Sequence, residues 1–144
     1  SATTEIYTSL FAGSVRCVYE TVVVILDSDT LSELGRIATQ GPFISDAALA
    51  IVIVMENAPR PQLDAGRAIQ QMELVAWSEG LGTCFVGVRI EEQQIAVKEL
   101  LGNPSDLELI TIMPYGYRPT SINRVGTPRK DLAEMVHREK FGAH

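Results

Sequence analysis

The sequence predicts one sheet covered by helices, an α/β or α+β sandwich, on three observations. Two continuous apolar runs, Tyr19–Leu26 (YETVVVIL) and Ala47–Met55 (AALAIVIVM), read as strands buried on both faces. Residues 64–79 place Ala65, Ala68, Ile69, Met72, Val75 and Ala76 on one face of an α-helix. Helical and strand patterns then alternate roughly along the chain, giving four strands and four or five helices. With 144 residues there is material for one domain with a real core and too little for two.

Taken in order, Thr4–Ala12 reads as a short helix capped by Thr3 or Thr4, ended by Gly13-Ser14-Val15-Arg16. The first strand follows. Asp27-Ser28-Asp29 is a turn and cap for a helix over Thr30–Ala38, with Leu31, Leu34 and Ile37 inward. Gly41-Pro42 breaks it. After the second strand, Glu56–Gln62 is a loop with Pro59 and Pro61. The central helix, Asp64–Glu79, ends at Gly80, which suits a left-handed C-cap. Thr83–Val88 is rich in strand formers. Its Gly-containing end, Val86-Gly87-Val88, offers backbone amides to a flat ligand, or is plain core strand. Glu91–Leu101 is a further helix, stopped by Gly102-Asn103-Pro104. Leu107–Tyr115 is the last strand, with Pro114 marking its end. Arg118–Pro128 lacks periodicity and forms an extended arm, and Arg129–Phe141 is helical at its start. Such an arm at the end of a compact chain reaches for something, here a second subunit, or is a frayed tail.

The chain is 46% hydrophobic and 21% charged, so it folds. A net charge of −6 and a pI near 4.9 argue against a nucleic-acid surface. No apolar run approaches the roughly eighteen residues of a membrane span. No basic segment leads into an apolar one, so no secretion signal is expected. Cys17 and Cys84 form no CxxC pair and read as reduced thiols of a cytoplasmic protein, Cys84 as core filling.

Chemistry borne by side chains is scarce. The two histidines, His137 and His144, give no zinc-like spacing, and no metal site is expected. A catalytic triad would need His137, which lies in the charged segment VHREK. Neither a GxGxxG nor a P-loop pattern occurs. If the protein is an enzyme, a cofactor carries the reaction.

Several stretches together resemble the nitroreductase family of flavin enzymes. Asp64–Val88 is similar to its central helix and "GLGTC" turn, Leu100-Leu101-Gly102 to its "LLG" helix end, and Ile112–Tyr117 to its "PxGY" strand end. Arg129–His137 (RKDLAEMVH) resembles the closing "RKPLEEMVH" stretch. The resemblance runs from about Tyr19 to Gly142, and the order and spacing of the motifs make it specific. Nearer the start, Ser14-Val15-Arg16 match the end of "RRSVR", while Ala12 and Gly13 stand where two arginines would be. Tyr19-Glu20-Thr21 is similar to the family's "WRF" strand start, and the second helix and polar "PSxxNxQP" loop have no counterpart before it.

The resemblance implies an α+β fold with a mostly antiparallel sheet flanked by helices, one domain over residues 1–144 with the arm at 118–144, and a homodimer. It implies FMN at the subunit interface, NAD(P)H as reductant and a small electron-poor acceptor such as a nitro compound or quinone. Ser14, Arg16, Arg129 and Lys130 would bind the flavin phosphate, which needs positive charge and hydrogen-bond donors. Phe85, Val86, Gly87 and Val88 would line the flavin ring, with a backbone N–H near its N5 atom. No catalytic side chain is expected, because the flavin carries the chemistry. Two arginines absent at Ala12 and Gly13 predict FMN binding weaker by a factor on the order of 10² to 10⁴. The rival reading is a shortened family member that binds flavin weakly or not at all and serves as a dimeric binding or structural protein.

Overall fold

The computed structural model describes residues 20–56, 59–117, 119 and 127–142. Four strands form one antiparallel sheet in the order β1-β2-β4-β3. They are β1 (Glu20–Ile25), β2 (Leu49–Met55), β3 (Leu81–Thr83) and β4 (Glu108–Tyr117). Between them lie α1 (Ser28–Ile37), a 3₁₀ turn (Pro42–Asp46), α2 (Pro61–Ser78) and α3 (Glu91–Leu101). A single helical turn, α4 (Leu132–Met135), stands near the end.

The apolar run of β2 is explained by its neighbours. Every residue from Leu49 to Met55 is buried. Side chains alternate along a strand, so Ala50, Val52 and Val54 face one layer while Leu49, Ile51, Ile53 and Met55 face the other. The first layer holds Leu31 and Leu34 of α1, Ile44 of the 3₁₀ turn and Val97 of α3. The second holds Ala65, Ile69, Met72 and Ala76 of α2, the stripe expected of the central helix. The sheet is thus covered on both faces, and the α+β sandwich is formed.

Helix limits follow local chemistry. Asp27 caps α1, its Oδ2 accepting from Thr30 N at 2.8 Å and from the Thr30 hydroxyl at 2.7 Å. Pro61, expected in a loop, begins α2, where its missing N–H costs nothing. Gly80 and Gly102 adopt positive φ after their helices, as expected of left-handed caps. The third strand is shorter than the expected Thr83–Val88, and β4 runs on through Pro114 to Tyr117. Arg129–Phe141, expected to be helical at its start, forms the single turn α4 there, with Asp131 and Glu134 making a capping box. The expected Thr4–Ala12 helix and most of the Arg118–Pro128 arm lie outside the described residues.

Candidate functional site

The segment between β3 and α3 is shaped by one proline. β3 pairs Leu81 with Tyr117 and Thr83 with Tyr115, and Val86 pairs with Ile112 in the same register. Between them that register sets Cys84 opposite Pro114. The Val86–Ile112 pair exchanges both hydrogen bonds, Val86 N to Ile112 O at 3.0 Å and Ile112 N to Val86 O at 3.1 Å. Two residues along, Cys84 and Pro114 would do the same, but proline has no N–H to give. The ladder therefore lapses at Cys84 and Phe85, and both are exposed. This corrects the reading of Cys84 as core filling. It also explains how Pro114 sits inside a central strand: its missing donor faces the interruption.

Past the gap the chain is gripped again. Thr111, fully buried, donates its hydroxyl to Val86 O at 3.1 Å. Thr111 is held there by a bulge, since β4 places both Ile110 and Thr111 against Ile53 of β2. Gln94 Nε2 of α3 donates to Val88 O at 2.8 Å, and Gln93 Nε2 donates to Thr39 Oγ1 at 3.0 Å. Val86 and Val88 are consequently buried anchors, while Phe85 and Arg89 project outward.

A cleft of about 410 Å³ opens here, lined by Gln40, Phe85, Val86, Gly87, Arg89, Ile90 and Gln93. A second, of about 400 Å³, shares Phe85 and Arg89 and continues past Val88 to Gln62, Gly66 and Glu108. Gln62 Nε2 donates to Glu108 Oε1 at its rim. Gly87 lies between two side chains: a Cβ there would meet Phe85 Cε1 at 3.2 Å and Arg89 Nε at 3.9 Å. Among the described residues the Gly87 N–H has no hydrogen-bond partner.

Two titrating groups stand behind this segment. Burial, opposed in part by the Thr83 hydroxyl, pushes the Tyr115 phenol up to about 12. Partial burial and then the charge of Glu73 raise the Cys84 thiol above its ordinary value, so the thiolate is scarce at neutral pH.

Of the expected ligand-binding residues, Phe85, Val86, Gly87 and Val88 come together around the clefts. Ser14 and Arg16 lie outside the described residues. Arg129 and Lys130 are exposed, and neither lines these clefts. Sequence reasoning missed Gln40, Arg89 and Gln93. Arg89 carried a signal, an isolated cation between the strand end and a helix start; the glutamines carried none. No group of His, Cys, Asp and Glu able to hold a metal ion occurs among the described residues, and none of their helices is long and apolar enough to cross a membrane.

The fold and the placement of this segment can be set beside known proteins. The model of the nitroreductase family matches residues 36–117, more than half of the chain and including every residue that lines both clefts. The chain belongs to the nitroreductase family. A relative from Archaeoglobus fulgidus, provisionally named an NADH dehydrogenase/NAD(P)H nitroreductase, is 25% identical over 130 residues, covering 83% of this chain and 72% of its own. The solved FMN-dependent nitroreductase from Clostridium difficile superposes with a TM-score of 0.78 at 25% identity, covering 96% of this chain and 87% of that one. The NADPH:FMN oxidoreductase of Vibrio harveyi, solved with NAD⁺, shares the fold at 24% identity, with a TM-score of 0.72 over 96% of this chain and 67% of that one. The nitroreductase fold thus carries the Phe85–Arg89 segment at the edge of its sheet.

Proposed function

We propose that this nitroreductase-family chain is an FMN-dependent oxidoreductase that passes a hydride equivalent from NAD(P)H to a nitro, quinone or similar electron-poor acceptor. The observation that carries the reading is the Phe85–Val88 segment, which brings to an open cleft a glycine whose backbone N–H has no hydrogen-bond partner among the described residues. That arrangement fits the ring of a flavin. Gly87 leaves room for a planar group where a side chain would press on the Phe85 ring. The Gly87 N–H would be a donor for a ring nitrogen that gains charge on reduction. Val86, anchored by Ile112 and Thr111, fixes the position of that donor. When bound, FMN supplies the two-electron chemistry. For a nitro acceptor the balance is NAD(P)H plus one solvent proton plus R–NO₂ giving NAD(P)⁺, R–N=O and water. The phosphate falls to Ser14, Arg16, Arg129 and Lys130.

A homodimer is part of the reading. Leu63, Leu74 and Trp77 are exposed on the outer side of α2, with Gly66 between them. Burying this face against a second copy supports an obligate interface, which typically covers about 2,000 Å² or more. Sedimentation that finds a stable folded monomer at micromolar concentration overturns the dimer.

Calorimetric titration with FMN tests the cofactor. The expected outcome is weak binding: protein purified largely colourless, which turns yellow and oxidises NAD(P)H once FMN is added in excess. A nanomolar dissociation constant would mean that other groups replace the arginines absent at positions 12 and 13. No uptake even in excess would leave the rival reading, a dimeric binding or structural protein.

A further inference from the structure

We propose that the first cleft selects an acceptor carrying a carboxylate, and that Arg89 is the residue that selects it. The inference rests on the oxidoreductase reading above and names its substrate class. Arg89 is the only charged side chain among the described residues lining this cleft. Its Nε lies 3.9 Å from the point where a Cβ on Gly87 would stand, so the exposed side chain passes beside Gly87 at the cleft wall. Glu91 and Glu92 follow closely in sequence, yet no carboxylate among the described residues forms an ion pair with Arg89. Among the described residues, therefore, nothing holds the guanidinium fork away from an incoming anion.

The rest of the cleft suits the body of such a molecule. Phe85 and Ile90 are 53% and 51% exposed and give apolar walls for an aromatic ring. Gln40 and Gln93 complete a polar margin, Gln93 fixed by its bond to Thr39. The global field argues the same way. A chain of net charge −6 repels anions at long range, so an anionic acceptor needs a cation inside the cleft. Arginine meets a carboxylate with two parallel N–H donors, which a lysine cannot supply. During turnover the carboxylate is unchanged; only the nitro or quinone group is reduced, by the balance given above.

The test compares 4-nitrobenzoate with nitrobenzene on the FMN-saturated chain, in the wild type, Arg89→Gln and Arg89→Lys. The readouts are the ratio of kcat/KM for the two acceptors and the calorimetric affinity for each. Arg89→Gln is expected to lower both the kinetic ratio and the 4-nitrobenzoate affinity by a factor on the order of 10. Arg89→Lys recovers part of each, since it keeps the charge and loses the fork. An unchanged ratio in Arg89→Gln overturns the proposal. So does a loss that falls on NADPH relative to NADH, which would assign Arg89 to the nicotinamide phosphate, or one confined to FMN affinity. If neither acceptor is reduced by any variant, the oxidoreductase reading fails on its own. The titrations then decide Arg89 separately: wild type binding 4-nitrobenzoate more tightly than Arg89→Gln supports the selective role, and equal affinities end it.

Discussion

Gly41 approaches Val86 so closely that a Cβ on the glycine would lie 2.6 Å from Val86 Cγ1 and 3.0 Å from Cγ2. The turn after α1 and the cleft segment are thus packed directly on one another. Gly41→Ala is expected to destabilise the fold by about 1–3 kcal/mol through overpacking. Chemical denaturation checks this. Val86→Ala frees the space, so the double variant should lose less than the sum of the two single losses.

Thr111 gives a second handle on the segment. Its hydroxyl is buried and donates to Val86 O at 3.1 Å. Thr111→Val leaves that carbonyl with the Ile112 N–H alone, at a cost of about 1 kcal/mol. The loss is local. Amide hydrogen exchange at Val86 and Ile112 should accelerate before exchange in the β1–β2 pair changes.

Tyr115 predicts the alkaline limit. Its phenol is held up to about 12 by burial, against an unfolded value near 10. The folded state binds the proton more tightly. Below pH 10 both states are neutral and the group contributes no pH dependence. Between about pH 10 and 12 the unfolded chain ionises first and stability falls, by about 2–3 kcal/mol in all. Tyr115→Phe should flatten that part of the stability profile.

Cys84 is exposed but poorly ionised. Desolvation and then Glu73 raise its pKa. In a Cys17→Ser background it should react with a disulfide reagent more slowly than free cysteine at pH 7, and faster as pH rises. Glu73→Gln should speed it at neutral pH by removing the repelling charge. A rate indifferent to Glu73 would show that burial alone sets the thiol.

Acid tests the first cap. Hydrogen bonds from Thr30 lower the pKa of Asp27. Its contribution is present above the unfolded carboxylate value and is lost as pH falls through the lower, folded value. Asp27→Ala should lower the thermal midpoint at pH 7 by about 2–4 °C and have less effect once the carboxyl is protonated.

Much of the fold was legible because burial leaves a periodic trace. The stripe Ala65–Ala76 and the unbroken run of β2 each declare which faces are covered, and α1 and α3 declare their ends through Asp27 and Gly102. The third strand misled for a reason outside its own residues. Thr83–Val88 has every local mark of a strand, and the interruption comes from Pro114, thirty residues on. Pro114 misled in turn, since a proline reads as a strand end unless its missing donor has a place to face. At the site, the backbone-presenting segment was legible through its glycine. Arg89 and Gln93 stand four residues apart at the start of α3, but Gln40 joins them only once the turn after α1 packs beside that segment.

The lapse opposite Pro114 also bears on solubility. β3 is an outer strand of the sheet, and Leu81–Val88 is an uncharged stretch rich in strand formers. A flat edge of that length and composition would invite strands from other molecules to add to it. Because regular pairing stops after Thr83 and resumes only at the single Val86 bridge, the edge gives a newcomer three consecutive residues to copy instead of eight. The feature that exposes Phe85 to a ligand thereby guards the protein against fibrous self-assembly.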